Sequence, residues 1–287
     1  MIHSAVVLGA GTMGSGIAQW LAQAGVKVEL ADAKLSVATE AHKRILLSWK
    51  ALLEKGKFTP EQVKAFEDNL FPIETSDCKK DSDILIEAII ENLDVKKQVF
   101  HELDLLMNEK TIFASNTSSF QITTLASKLP LKRQERFLGL HFFNPATLMK
   151  LVEVVRARET DETLAKDLAA WFQAKGKVPT LCQDSPGFIV NRLARNFYGE
   201  SLRLAGMSAD ETRLKEIDTI MREVGGFKMG PFELMDLIGL DINYQVSTSV
   251  WEAFHREPRF QPHRLQAGLV DAGLLGRKTK QGFFKYE

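Results

Sequence analysis

Val6-Val7-Leu8-Gly9-Ala10-Gly11-Thr12-Met13-Gly14 is an apolar run, a glycine turn and the start of a helical pattern. Gly9 suits a tight turn. Gly11 lets a phosphate approach the backbone, and Gly14 lets helix and strand pack closely. Thr12 and Met13 fall in the first helical turn, where free amide groups meet a pyrophosphate. A second apolar run at 27–31 ends on Asp32. A carboxylate there accepts from both adenosine ribose hydroxyls and repels a 2′-phosphate, so it selects NAD over NADP. Lys34, two residues on, weakens that selection. The competing reading is an ordinary strand-to-helix turn with an unrelated acid. The strand before, the helix after, the second strand and the acid together favour the dinucleotide site.

Further apolar runs follow at 83–89, 111–114, 137–142 and 151–155. Helical patterns at 12–24, 36–55, 94–108 and 121–128 separate them, and Thr59-Pro60-Glu61-Gln62 offers a capped start with proline at the first helical position. Such alternation predicts an α/β fold, a Rossmann-like, mostly parallel, doubly wound sheet. The runs are continuous rather than alternating, as a sheet buried on both faces requires. The pattern changes at Asp184-Ser185-Pro186-Gly187. Beyond it helical patterns dominate. One covers 188–204, and a capping box at Ser208-Ala209-Asp210-Glu211 starts the next. Pro231 opens a third that ends near Gly239, and others cover 243–254 and 263–272. The glycine-punctuated tail, 276–287, reads as irregular. Two domains are expected: 1–184, binding the nucleotide, and 185–287, all-helical.

Length agrees, since 287 residues suggest two domains at roughly 150 residues each. Lys plus Arg and Asp plus Glu are 37 each, so no net field favours nucleic acid or an anionic membrane. No stretch approaches the ~18 apolar residues of a membrane span; the run at 84–90 is broken by Glu87. The first strand begins at Ile2, which leaves no room for an address signal upstream. Cys78 and Cys182 are too few for a disulfide framework and lack metal spacing, so no metal is expected. Both sit near apolar runs and read as buried free thiols, in keeping with a reducing, cytoplasmic compartment.

Two strand runs carry a polar interruption. Gly139-Leu140-His141-Phe142-Phe143 holds an imidazole, and Leu151-Val152-Glu153-Val154-Val155 holds a carboxylate. The connection 144–150 is short enough to make the runs neighbours. A buried carboxylate is costly unless paired, and a His–Glu pair would satisfy both groups. It would favour imidazolium, fix the tautomer and leave the other ring nitrogen for a substrate hydroxyl. Those are the properties of a general base for alcohol oxidation. A purely structural pair, or two residues that never meet, fits the spacing equally well. Ala114-Ser115-Asn116-Thr117-Ser118-Ser119 lies at the carboxyl end of a predicted parallel strand, where open α/β sheets bind ligands. By itself it reads as a Ser/Thr-rich turn.

Taken together, the chain resembles the L-3-hydroxyacyl-CoA dehydrogenases of fatty-acid β-oxidation and the similar bacterial 3-hydroxybutyryl-CoA dehydrogenases. The likeness runs through the glycine turn, Ile89-Ile90-Glu91-Asn92-Leu93, Ser115 to Ser119, His141-Phe142-Phe143-Asn144-Pro145 and Leu151-Val152-Glu153. It continues through Asp184 to Arg192, Met229-Gly230-Pro231-Phe232-Glu233-Leu234 and Leu275-Gly276-Arg277-Lys278-Thr279. The resemblance implies that His141 removes the proton from the 3-hydroxyl while hydride passes to NAD, and that Glu153 orients it. It implies that Ser118 and Asn191 hydrogen-bond the substrate's reacting oxygens, with Asn144 in the same network. It places Glu91, Lys96 and Asn116 at the cofactor, although Glu91 and Lys96 otherwise read as a solvated helix start. A helical second domain that dimerises, an active site in the interdomain cleft and an acyl-CoA thioester as substrate complete the expectation. Lys43, Arg44, Lys50, Lys55 and Lys57 offer charge for the coenzyme A phosphates, with none assigned individually. The runner-up is a dehydrogenase of similar build for a free hydroxy acid or sugar acid, as in L-gulonate dehydrogenases. A non-catalytic NAD-binding protein is the third reading, and the His141/Glu153 pair argues against it.

Overall fold

In the computed structural model, residues 2–207 and 210–287 are described. The chain divides into two compact units, Met1–Ser185 and Pro186–Glu287.

The first unit alternates strands and helices: β1 (Ser4–Leu8), α1 (Thr12–Gln23), β2 (Lys27–Asp32), α2 (Leu35–Glu54), α3 (Pro60–Glu67), β3 (Leu70–Glu74), β4 (Ile84–Glu87), α4 (Leu93–Asp104), β5 (Ile112–Ser115), α5 (Ile122–Ala126), α6 (Leu131–Gln134), β6 (Phe137–Phe142), β7 (Leu151–Arg156), α7 (Glu162–Ala174) and β8 (Val178–Gln183). The strands form one sheet in the order β3-β2-β1-β4-β5-β6-β7-β8. Every pairing is parallel except β6 with β7. The chain reverses across the sheet after β3, so β1 and β4 flank the topological switch point where such sheets bind ligands.

Both faces of the sheet are covered. Val7, Leu30, Ile86, Ala114, Leu140 and Val154 pack with Ile17 and Leu21 of α1, Trp49 of α2 and Phe172 of α7. On the opposite face Phe113 and Phe137 meet Phe100 of α4, with ring centroids 5.9 and 4.7 Å from it. Period-two alternation then places Glu87, Ser115, His141 and Glu153 on this second face, near the strand ends.

The six apolar runs match six of the eight strands. The two that they miss, β3 and β8, are the sheet edges. Each contains a proline (Pro72, Pro179) and is only partly buried. An edge strand tolerates proline because one of its hydrogen-bonding sides has no partner, and its exposure removes the continuous apolar signal. The helix α7, also without an expectation, is capped by Asp161, whose side chain accepts from the Leu164 amide at 2.8 Å. The capping box at α3 is present as read, with Thr59 and Gln62 exchanging hydrogen bonds.

The second unit holds α8 (Val190–Ala205), α9 (Glu211–Glu223), α10 (Pro231–Ile238), α11 (Leu240–Ala253) and α12 (Arg264–Asp271). Ser208 and Ala209 of the expected capping box lie outside the described residues; α9 is capped by Asp210, which accepts from the Arg213 amide at 2.9 Å. Tyr198, Leu202, Leu214, Ile217, Phe232, Met235 and Leu240 build the core. Two buried carboxylates tie it together. Asp218 accepts from the Phe232 and Glu233 amides at 2.9 Å, at the start of α10. Asp236 accepts from the Phe283 and Phe284 amides and the Tyr286 hydroxyl, each at 2.9 Å. The tail is therefore anchored rather than loose: Phe283 is buried and a 3-10 turn spans Arg277–Thr279. Among the described residues no helix is long and apolar enough to cross a membrane.

Candidate active site

At the glycine turn each glycine meets a distinct constraint. Gly9 has φ +100°, a region that side chains rarely adopt, and a Cβ on it would sit 2.6 Å from the Ala88 carbonyl oxygen. A Cβ on Gly14 would lie too close to the Gly9 carbonyl to exist, so helix and strand approach as closely as backbones allow. A Cβ on Gly11 would meet nothing within 4 Å, so open space lies over the helix start. Gly11 is the N-cap of α1 and brings no side chain to cap it. The amides of Thr12, Met13 and Gly14 therefore open α1 without side-chain competition, as an anion site needs. Asp32 ends β2, and its Oδ2 accepts from the Ala10 amide at 2.9 Å. This bond locks the carboxylate against the turn. Oδ1 receives only a long contact from the Lys34 amide, 3.4 Å, which leaves it acceptor capacity for hydroxyls. The residues present fit a dinucleotide.

The antiparallel β6–β7 pair sets His141 directly opposite Glu153. The His141 Nδ1 to Glu153 Oε2 distance is 2.6 Å, and the side chains are 5% and 1% exposed. A carboxylate that accepts at Nδ1 places the ring proton there, so Nε2 carries a lone pair in the neutral ring. Nε2 lies 2.8 Å from Ser118 Oγ. Strand spacing left open whether this pair meets; it does. Behind Glu153, Cys182 is buried, and burial first and the Glu153 carboxylate second push its thiol up to about 12. The expectation of two buried thiols holds for Cys182 but not fully for Cys78, which is half-buried.

Ser118 is held from a third direction. Glu91 Oε1 accepts from the amides of Ser118 and Ser119 at 3.1 Å and from Thr117 Oγ1 at 2.5 Å. This replaces the plain-turn reading of Ala114 to Ser119 with a loop organised around a carboxylate. Asn116 Oδ1 accepts from the Phe142 amide at 2.9 Å, tying the ends of β5 and β6 together. Lys96 is not a solvated helix residue, because its side chain is 1% exposed. Its Nζ lies 2.5 Å from Glu87 Oε1 and 3.1 Å from Glu91 Oε2. In the sequence Glu87 stands only as a break in an apolar run. It is fully buried and also accepts from Ser115 Oγ at 2.6 Å. The signal that could have found it is the one that found His141: a polar residue inside a strand of apolar ones.

Asn144 is exposed on the β6–β7 connection. It lines a cavity of about 300 Å3 with Thr12, Gly16 and Arg44, among others. A larger cavity, about 420 Å3, is lined by Asp83, Thr111 and Arg136 at the amino ends of the strands. That is the opposite end of the sheet from the glycine turn and His141, whereas open sheets bind their ligands at carboxyl ends. Asn191 belongs to α8 of the second unit, where its carbonyl accepts from Arg195 Nε at 3.2 Å.

Comparison with known proteins finds matches that cover nearly the whole chain. Residues 4–185 match the model of the 3-hydroxyacyl-CoA dehydrogenase NAD binding domain, and residues 187–286 match that of the same family's C-terminal domain. The chain is 40% identical to the mitochondrial hydroxyacyl-coenzyme A dehydrogenase of Rattus norvegicus, over all of its own length and 92% of that protein's. Among solved structures it is similar to the (S)-3-hydroxybutyryl-CoA dehydrogenase of Ralstonia eutropha, with TM-score 0.92, 35% identity and full coverage of both chains. It is also similar to a 3-hydroxybutyryl-CoA dehydrogenase of Escherichia coli K12, with TM-score 0.93 and 39% identity, covering 100% of this chain and 60% of that one. With its NAD binding domain and its C-terminal domain both matched in order, the chain belongs to the 3-hydroxyacyl-CoA dehydrogenase family.

Proposed function

We propose that this protein oxidises L-3-hydroxyacyl-CoA thioesters, short-chain ones such as 3-hydroxybutyryl-CoA among them, to 3-oxoacyl-CoA. The observation that carries the reading is the buried His141–Glu153 pair, whose other ring nitrogen meets Ser118. NAD, when bound, supplies the acceptor for the hydride that leaves C3. His141 Nε2 takes the hydroxyl proton as the carbonyl forms. Glu153 holds the ring in the required tautomer and stabilises the imidazolium, as a carboxylate behind a general base does. Ser118 presents a hydroxyl to the reacting oxygen, and Asn144 extends that network. Gly9, Gly11, Thr12, Met13 and Gly14 cradle the pyrophosphate, and Asp32 takes the adenosine ribose. Glu91 and Asn116 face the nicotinamide end, with Lys96 holding Glu91 in place.

Residues 1–184 thus form the NAD-binding domain in this reading. To residues 185–287 we assign the family's substrate-binding and dimerising roles, with Asn191 as their contribution at the substrate oxygens. A homodimer has twice the chain mass of 32.2 kDa, which light scattering measures. Two free cysteines support a reducing, cytoplasmic setting.

The test is NADH oxidation with acetoacetyl-CoA. The wild-type protein turns over, and His141→Ala loses about 10²–10⁴-fold in kcat. Undiminished activity in that variant would falsify the assignment of the base. Turnover of free 3-oxo acids with none of the thioester would move the protein to the hydroxy-acid dehydrogenases instead.

A further inference from the structure

Lys177 has no part in the chemistry above, yet it is among the most enclosed cations of the first unit. Gly176, with φ +85°, ends the turn after α7, and Lys177 then leads into β8. Its residue is 5% exposed. The side chain runs back under the β6–β7 connection, where Nζ donates to the Ala146 carbonyl at 2.5 Å and the Met149 carbonyl at 2.7 Å. The amine also lies 4.7 Å from the centroid of Trp20 on α1 and 5.8 Å from that of Phe142 on β6. Its partners are carbonyls and aromatic faces, and burial lowers its pKa to about 8.

A buried cation without a counter-ion is unfavourable unless its hydrogen bonds have work that an apolar residue could not do. Here the work is visible. Loop 143–150 leaves β6 two residues after His141, carries Asn144 and enters β7 three residues before Glu153. Its last residue is also tied to β8, where the Val178 amide donates to the Lys150 carbonyl at 2.8 Å, and within it the Leu148 and Met149 amides donate to the Pro145 carbonyl at 3.0 and 2.9 Å. On its far side it abuts the nucleotide helix: a Cβ on Gly16 would lie 3.3 Å from Ala146 Cβ.

We propose that Lys177 is a positioning residue for the dehydrogenase reaction, pegging loop 143–150 so that Asn144 is presented beside His141. The proposal rests on the reading of the reaction given above. Lys177 touches neither His141 nor Glu153 in this arrangement and acts only through the loop. A neutral amine keeps two N–H groups, so the peg survives deprotonation of the side chain.

Lys177→Met keeps the length and apolar body of the side chain and removes its donors. Its kcat with acetoacetyl-CoA falls about 10-fold or more, the scale of a small misplacement of a substrate-positioning group. The NADH dissociation constant, read by fluorescence, changes less than about 2-fold, because the glycine turn and Asp32 are untouched. In an Asn144→Ala background the same substitution costs little more, since both changes remove one function; full additivity would overturn the proposal. Lys177→Gln keeps an N–H donor and falls between wild type and Lys177→Met; it also serves if the methionine variant fails to fold. Hydrogen exchange supplies a readout independent of activity. The Leu148 and Met149 amides exchange faster in the variants while β6 amides do not, and unchanged exchange at both positions overturns the peg. If the wild-type protein lacks thioester activity while exchange at the loop responds, the reaction reading has failed and the peg has not.

Discussion

Two polar pairs are buried on the same face of the sheet, and they behave differently. Glu87 ends β4 and Lys96 lies on the buried face of α4; His141 and Glu153 sit across β6 and β7. Each joins a carboxylate to a nitrogen base at 2.5 or 2.6 Å, and all four side chains are no more than 5% exposed. The first pair is closed. Glu87 is used by Lys96, the Ile89 amide and Ser115, and Lys96 turns its remaining reach to Glu91. The second pair reaches outward, because the far ring nitrogen of His141 lies 2.8 Å from the half-buried Ser118 hydroxyl. The two are also linked. Lys96 holds Glu91, Glu91 holds the Ser118 amide, and Ser118 meets His141. The first pair organises the loop; the second meets a hydroxyl that is partly exposed. Burial alone therefore does not mark a catalytic group; a buried titratable pair near the carboxyl ends of the strands is the candidate.

Substitutions break this comparison in different observables. The largest effect is expected from Glu153→Gln. The amide oxygen keeps the hydrogen bond to Nδ1 but cannot stabilise imidazolium, so kcat falls about 10²–10⁴-fold while the melting temperature moves little. A large loss of stability with kcat retained would make this a second structural pair. Lys96→Met acts first on stability. It leaves Glu87 buried without its cation, which costs about 3–5 kcal/mol of unfolding free energy in a denaturant titration. The surviving folded protein should still bind NADH. Asp32→Ala tests the nucleotide end, where removing the carboxylate lowers NAD over NADP selectivity by about 10-fold or more in kcat/KM, equivalent to ~1.4 kcal/mol. Equal preference in wild type and variant would show that Asp32 only braces the Ala10 amide.

The smallest effect concerns the other buried lysine. Lys177 is lowered from 10.5 to about 8 by burial. Between those values the unfolded chain holds a proton that the folded protein has released, so folding stability rises with pH across that window and is lost as pH falls toward 8. Raising the pH from 7 to 9.5 should thus favour wild type over Lys177→Met by about 1–2 kcal/mol. Parallel pH dependence of the two unfolding curves would mean that Lys177 titrates normally and is not enclosed.

Much of the first unit could be read before its structure was seen, and the exceptions have causes. The interior strands β1, β2, β4, β5, β6 and β7 are apolar because both faces are covered, and composition alone marks them. The edges β3 and β8 carry Pro72 and Pro179 and lack that marker. His141 and Glu153 were legible as interruptions in strong runs. Glu87 is the same kind of interruption, but without a visible partner it looked like a mere break. Its partner lies nine positions on, across a strand-to-helix turn, where Lys96 reads as an ordinary charged helix residue.

Sequence by itself determined the dinucleotide turn and its acid. Those features are local: a φ only glycine adopts readily at Gly9, a close approach at Gly14, and Asp32 at the end of the next strand. Tertiary structure decided which buried polar groups are spent on one another and which reach a partly exposed hydroxyl. That outcome depends on strand register and on which helix covers which face, and neither is written in any one segment. His141 opposite Glu153, Lys96 beneath Glu91 and Lys177 under the β6–β7 loop all join residues from separate elements. Their chemistry follows from the contacts, because a buried charge is defined by its partners.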